Sequence, residues 1–110
     1  MSRTPSARKK ISEMVKRIST RFHPKEIILF GSYARGEGGP NSDADLLVIM
    51  SVEGSKRRQA VEIELAVADI NMPKDIIVVT PEEARRYGRV PGTVVRQALQ
   101  EGKVMYERAS

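Results

Sequence analysis

The sequence of 110 residues contains no cysteine and no tryptophan, and it has only three tyrosines and two phenylalanines. Without cysteine, neither disulfide bonds nor thiolate chemistry can contribute to its stability or activity. No apolar run approaches the roughly 18 residues that a bilayer-spanning helix requires. The basic N-terminal segment also lacks the apolar stretch of a secretory signal. We therefore expect a cytoplasmic protein with no membrane partner.

Histidine and aromatic residues are too scarce to suggest chemistry by themselves. His23 is the single histidine, and its place beside Pro24 favours a loop residue over a general base. A basic first helix is predicted near the N-terminus, but few aromatic side chains accompany it. Single-strand nucleic-acid binding of the stacking type is therefore poorly supported. Nucleic acid remains a possible partner that the sequence does not favour.

Basic charge is what the sequence has in excess, with a formal net charge of +5 and a pI near 9.8. Such a balance favours anionic partners, such as nucleic acid, nucleotides or an acidic protein face, without choosing among them. The length predicts one domain, residues 1–110, in which residues 1–6 form a mobile tail.

Apolar periodicity predicts an α/β fold. Residues 6–22 read as an amphipathic helix, and three apolar runs predict buried strands at residues 26–30, 45–50 and 75–79. A second helix is predicted over residues 53–70, with Val61, Leu65 and Ala68 facing the core. Further helices are expected from Pro81, with Thr80 as N-cap, and over residues 93–100. Residues 103–107 are a short strand or an extended tail.

The stretch "LFGSYARGEGGPNSDADLL" departs from this generic pattern. A Gly-Ser pair directly after a strand predicts a helical turn whose backbone N–H groups form an anion site. Gly31 lets the backbone approach a ligand closely, and the hydroxyl of Ser32 can reach a phosphate oxygen. Taken alone, the pair is more typical of an ordinary tight turn.

Two aspartates follow at the start of the next predicted strand. Asp43 and Asp45 are two residues apart, so their carboxylates would point to the same side of that strand. Like charges this close repel unless a cation joins them, and Mg²⁺ suits carboxylate oxygens together with substrate phosphates. Asp75 begins another predicted central strand and adds a third carboxylate if the two strands are neighbours. Three carboxylates can hold two Mg²⁺ ions for displacement at phosphorus.

The segment "GSYARGEGGPNSDADLLV", residues 31–48, resembles the motif of the minimal nucleotidyltransferases in the DNA polymerase β-like superfamily. That motif is Gly-Ser-x-Ala-Arg-Gly, a short loop, and then Ser-Asp-x-Asp-Leu. Every fixed position is matched, by Gly31, Ser32, Ala34, Arg35, Gly36, Ser42, Asp43, Asp45 and Leu46.

The resemblance implies a small mixed β-sheet flanked by helices, two divalent ions (Mg²⁺, or Mn²⁺) and a nucleoside triphosphate, often ATP, as substrate. It implies that Gly31 and Ser32 hold the β- and γ-phosphates. Asp43 and Asp45 would bridge both metals, and Asp75 would bind the catalytic metal. Arg35 would either reach phosphate or brace the loop through an ion pair, and bracing is favoured.

The resemblance also implies a partner, because short members often occur with HEPN-domain toxins and act as antitoxins. Some add AMP to a tyrosine of the toxin. Two alternatives stay open: a binding module that masks a toxin without catalysis, and an RNA-directed nucleotidyltransferase. The C-terminal apolar residues are either core or a subunit interface; they are Val94, Val95, Leu99 and Val104.

Overall fold

The computed structural model describes residues 6–39 and 41–109. The elements, in chain order, are α1 (Ala7–Phe22), β1 (Glu26–Phe30), β2 (Ala44–Ile49), α2 (Lys56–Ala66), β3 (Lys74–Val79), α3 (Pro81–Tyr87), α4 (Val94–Glu101) and β4 (Lys103–Glu107). The tail predicted over residues 1–6 lies outside the described residues except for Ser6, whose side chain caps α1 by accepting a hydrogen bond from the N–H of Lys9. None of the described helices is long and apolar enough to cross a membrane.

The four strands form one mixed sheet in the order β3-β2-β1-β4. β1 is antiparallel to both of its neighbours, whereas β2 and β3 are parallel and are joined through α2. The predicted small mixed sheet with flanking helices is thus confirmed. The prediction that Asp75 begins a central strand is wrong, because β3 lies at the edge of the sheet and only β2 adjoins it.

Both faces of the sheet are covered, which explains why its inner strands read as continuous apolar runs. Ala44, Leu46 and Val48 of β2 belong to the core beneath α1 and α2. Leu47 and Ile49 belong to a second core, beneath α3 and α4. Successive strand residues therefore pack against opposite layers, and this alternation decides on which face each residue at the sheet's end lies.

The predicted inner face of α2 is wrong. Val61 is 46% exposed and Leu65 is 70% exposed, and Ala68, beyond the end of the helix, is also exposed. Ile63 and Val67 are buried instead. The sequence offers two apolar rows at helical spacing, and only the docking of α2 beside α1 and β3 selects between them.

The C-terminal elements begin and end at the residues that their capping chemistry predicts. Thr80 and Glu83 form a reciprocal capping box at the start of α3, with Pro81 at its first turn. Thr93 caps α4. The following segment is a strand rather than an extended tail, because β4 pairs with β1. The register of this pairing shifts between Ile27 and Ile28.

Candidate active site

The predicted site residues meet at one end of the sheet. In the strand register, Asp45 lies opposite Phe30, the residue before Gly31, and it is also the partner of Asp75 on β3. Asp45 shares its face of β2 with Leu47 and Ile49, the face covered by α3 and α4. The end of β1 and the beginnings of β2 and β3 thus bring Gly31, Asp45 and Asp75 together.

Asp43 directly precedes β2 and is exposed. The N–H of the next residue, Ala44, donates to the carbonyl of Pro73 at 2.9 Å, which ties the beginning of β2 to the segment leading into β3. Asp43 is therefore held at the same end of the sheet by a loop rather than by the strand itself.

The electrostatics of Asp45 indicate a place for a cation. Partial burial raises the pKa of Asp45 above its usual range, and the negative charges of Asp75 and then Asp43 raise it further. Within residues 6–39 and 41–109, no Lys or Arg forms an ion pair with any of the three. The carboxylates therefore repel one another without a protein cation to offset the repulsion.

Gly31 lies directly against the Asp45 carboxylate. A Cβ atom built on Gly31 would collide with Oδ2 of Asp45, and the φ angle of +77° is one that other residues rarely adopt. Two separate constraints, backbone conformation and space, thus require glycine here. The consequence is that the turn after β1 and the carboxylate on β2 are in immediate contact.

Residues 32–36 form the helical turn expected after the Gly-Ser pair, and this turn does not continue into a helix. The carbonyl of Gly31 accepts from the N–H groups of Ala34 (3.1 Å) and Arg35 (3.3 Å), but the pattern stops at Gly36, which has a φ of +76°. A single turn followed by glycine does not propagate into a helix. The N–H groups of Ser32 and Tyr33 donate no hydrogen bond within the described residues, so they remain available to a ligand.

Tyr33 and Ser42 hold the loop that leads to Asp43. The Tyr33 hydroxyl donates to the carbonyl of Gly39 at 2.9 Å, and its ring occupies the space that a side chain on Gly38 would need. Ser42 Oγ accepts from the N–H of Gly39 at 3.0 Å. The Tyr33 ring is also partly buried against the core beneath α1 and α2.

The side chain of Arg35 forms an ion pair next to its own turn. Its Nε donates to Glu37 Oε1 at 3.0 Å, and both side chains are exposed. Such a pair contributes little to stability. The arrangement agrees with bracing of the turn, the role favoured for Arg35.

A family comparison covers nearly the whole domain. Residues 9–105 match the model of the nucleotidyltransferase domain family. The chain therefore belongs to the nucleotidyltransferase domain family, the class that the fold and the carboxylate end of the sheet define. The comparison with curated proteins gives no match.

Three solved structures share the fold. A protein assigned as a nucleotidyltransferase from Sulfolobus solfataricus is 24% identical, with a TM-score of 0.56 over 91% of this chain and 79% of that chain. A toxin–antitoxin structure with AMP-PNP is 21% identical, with a TM-score of 0.54 over 88% and 73%. A mutant form of the toxin–antitoxin pair MntA-HpeT is 20% identical, with a TM-score of 0.55 over 94% and 75%. At these identities the likeness establishes the fold.

The residues at this end of the sheet have the chemical groups that a divalent cation binds. They supply hard oxygen ligands, mutually repelling carboxylates, and the close approach of Gly31 to Asp45. Among the described residues, however, no three acidic, histidine or cysteine side chains already stand close enough to enclose a metal ion. Mg²⁺ does not require such an enclosure, because it is commonly held by one or two carboxylates together with substrate phosphates.

Proposed function

We propose that the protein transfers a nucleoside monophosphate, AMP from ATP, to a hydroxyl group of a partner protein. The observation that carries this proposal is the contact between the Gly31 turn and Asp45, which in turn adjoins Asp75. A phosphate group bound at the turn would lie beside oxygen ligands for the cations that accompany a nucleoside triphosphate. In the transfer, the acceptor oxygen bonds to the α-phosphorus, pyrophosphate leaves, and the hydroxyl proton is released.

Each site residue has a proposed role. The N–H groups of Ser32 and Tyr33, which donate no hydrogen bond to any residue in 6–39 or 41–109, and the Ser32 hydroxyl bind the β- and γ-phosphates. Asp43, Asp45 and Asp75 would hold two Mg²⁺ ions, which supply charge neutralisation on the attacking and leaving oxygens. Asp75 is exposed at the sheet edge, and we propose that the acceptor approaches from that edge. Arg35 keeps the turn in shape through Glu37.

The partner is proposed to be a HEPN-type toxin, and the acceptor a tyrosine of that toxin. Two structural neighbours are toxin–antitoxin structures, one of them with AMP-PNP. Three of the four C-terminal apolar residues are exposed, namely Val94 (44%), Leu99 (41%) and Val104 (56%), whereas Val95 is buried. α4 covers the same face of the sheet as Asp45. A partner that contacts α4 is therefore on the side from which the carboxylates are reached.

Adenylation of the partner is the test. The protein is incubated in Mg²⁺ with ATP labelled at the α-phosphate and a HEPN-type toxin tested as its partner, with the Asp43→Asn variant in parallel. We expect label and one or more added AMP masses on a partner tyrosine, with little transfer when the partner is omitted. A partner that gains no mass, while wild type and Asp43→Asn protect cells equally from the toxin, would instead favour masking by contact.

A further inference from the structure

The basic charge of the molecule is concentrated on α1. This helix carries six Lys or Arg residues and one Glu, a net charge of +5, which equals the formal net charge of the whole chain. Its buried residues form one stripe, so the charged residues line the opposite sides of the helix. None of these cations has a place in the nucleotidyl transfer proposed above.

Three hollows along α1 share lining residues and form one groove, here called the α1 groove. The first, about 320 Å³, runs between Lys16, Arg21 and Ala66. The second, about 470 Å³, shares Glu13 and Arg17 with the first and extends to Lys9. The third, about 370 Å³, shares Lys10 and Asn71 with the second and ends at Gly38, Gly39 and Pro73. The groove therefore leads to the end of the sheet that carries the carboxylates, on the opposite face from Asp45.

The groove's two acids, Glu13 and Asp69, both pair with Arg17, and the other basic residues of the groove outnumber them. Arg17 donates to Glu13 at 3.1 Å and to Asp69 at 2.5 Å, and this contact holds the pKa of Asp69 below its usual range. Lys10 donates to the carbonyl of Asn71 at 2.8 Å, not to an acid. Within the described residues, Lys9, Lys16 and Arg21 form no ion pair. The groove thus presents unneutralised positive charge.

We propose that the α1 groove binds the sugar-phosphate backbone of an RNA strand without reading its sequence. Lys9 and Arg21 are twelve residues apart on α1, which corresponds to about 18 Å of helix. That length is sufficient to contact several successive phosphates of one strand. Nucleic-acid interfaces are polar and strongly positive, whereas the centres of protein interfaces are apolar, aromatic and poor in charge. The α1 groove is lined by five Lys or Arg residues and by one aromatic residue, Tyr33, so its charge matches a nucleic-acid interface.

Direct binding tests the proposal. A fluorescein-labelled oligo(A) RNA of about 12 nucleotides is titrated with the full chain, and anisotropy is read at about 50 and about 200 mM salt. We expect binding that weakens steeply with salt. The variant Lys9→Gln/Lys16→Gln/Arg21→Gln should bind at least about tenfold more weakly, and its log–log salt slope should be shallower by about 2 units, since each lost contact removes about 0.7.

The matched control removes the same charge from outside the groove. Arg57, Arg58 and Arg85 are exposed and line none of its three hollows. We expect Arg57→Gln/Arg58→Gln/Arg85→Gln to weaken binding by less than about threefold. Equal losses in the two triple variants would mean diffuse attraction and would overturn the proposal, as would absence of binding at low salt.

Two further experiments use the wild-type protein. RNA should shield Lys9 and Lys16, but not Lys56, from acetylation in the wild-type chain. Equal reactivity of all three lysines in the presence of RNA would contradict the groove. A polyglutamate peptide of matched charge should displace RNA poorly, and displacement as effective as by unlabelled RNA would assign the groove to an acidic protein segment instead. None of these readouts depends on adenylation, so their failure leaves the proposed transfer unaffected.

Discussion

Asp45 is the residue at which the proposed function and the stability of the fold oppose each other. Its carboxylate is partly buried, lies against Gly31, and is surrounded by the charges of Asp75 and Asp43. A carboxyl group with a raised pKa in the folded state stabilises the fold fully below its unfolded pKa of about 3.9. That contribution is lost as pH rises through the folded pKa. At neutral pH, when no cation is bound, the charge on Asp45 therefore lowers the stability of the folded protein.

Replacing Asp45 with Asn should abolish transfer and raise the melting temperature of the free protein at pH 7. Because Asp45 is only partly buried, solvent screens much of the repulsion, and we expect a gain of about 0.5 kcal/mol, roughly 2–4 °C. The gain over wild type should shrink as pH falls through the raised pKa of Asp45, and it should be gone below about pH 4, where the carboxyl group is protonated in both the folded and the unfolded state. Thermal melts across pH measure this difference. A lower melting temperature for Asp45→Asn at pH 7 would show that the carboxylate is instead stabilised by its surroundings.

Gly31→Ala should lose nucleotide binding through contact with Asp45. The backbone at φ +77° adds strain of about 1–2 kcal/mol, and the new methyl group collides with the carboxylate. Gly92→Ala is the matched control, because Gly92 has a φ of +86° and open space around its Cα. Both variants should be destabilised, but only Gly92→Ala should keep the rise in melting temperature that Mg·ATP gives to wild type. Retention of the full rise in Gly31→Ala would remove the turn from the phosphate site.

At the scale of elements, α2 shows how packing overrides periodicity. Ile63 is fully buried and Leu65 is largely exposed, although both are apolar residues of one short helix. Ile63→Ala should lower the free energy of unfolding by about 2–4 kcal/mol, because it leaves a cavity between α2 and the sheet. Leu65→Ala should change it by no more than about 0.5 kcal/mol. Urea denaturation of both variants measures the contrast, and a reversed order would restore the inner face predicted from the sequence.

At the scale of the whole molecule, the two faces of the sheet are expected to have different partners. The α1–α2 face carries the basic groove and also the exposed Val61 and Leu65, whereas the α3–α4 face exposes apolar side chains and contains Asp45. If a protein acceptor binds to the second face and RNA to the first, substitutions on one face should abolish binding of that partner and leave binding of the other unchanged.

Val94→Glu should reduce adenylation of the partner by about tenfold or more while leaving the fold and Mg·ATP binding unchanged. The reason is that a charge would enter an interface that we propose to be apolar at its centre. Val61→Glu is the control, since Val61 on α2 is 46% exposed, close to the 44% of Val94. Co-purification and labelling of the partner are the measurements. If both variants label the partner as wild type does, α4 is not part of the interface.

Features that depend on residues close together in the sequence could be predicted from the sequence alone. The strand at residues 26–30 and the cap of Thr80 on the helix from Pro81 follow from local chemistry, and the structure has both. The Gly-Ser and Asp-x-Asp pattern indicated a nucleotidyltransferase for the same reason, since its residues lie within one short stretch. Their roles in binding metal and phosphate stay predictions.

Features that depend on contacts between segments distant in the sequence became visible only in the folded structure. The position of Asp75 beside Asp45 requires the parallel pairing of β2 with β3 across α2, and the edge position of β3 was not visible in its apolar sequence. The choice between Leu65 and Ile63 for the core, and the meeting of α1 with residues 66–73 in a basic groove, likewise arise from docking. The physical reason is that periodicity sets which residues share a face, whereas the burial of that face depends on what packs against it.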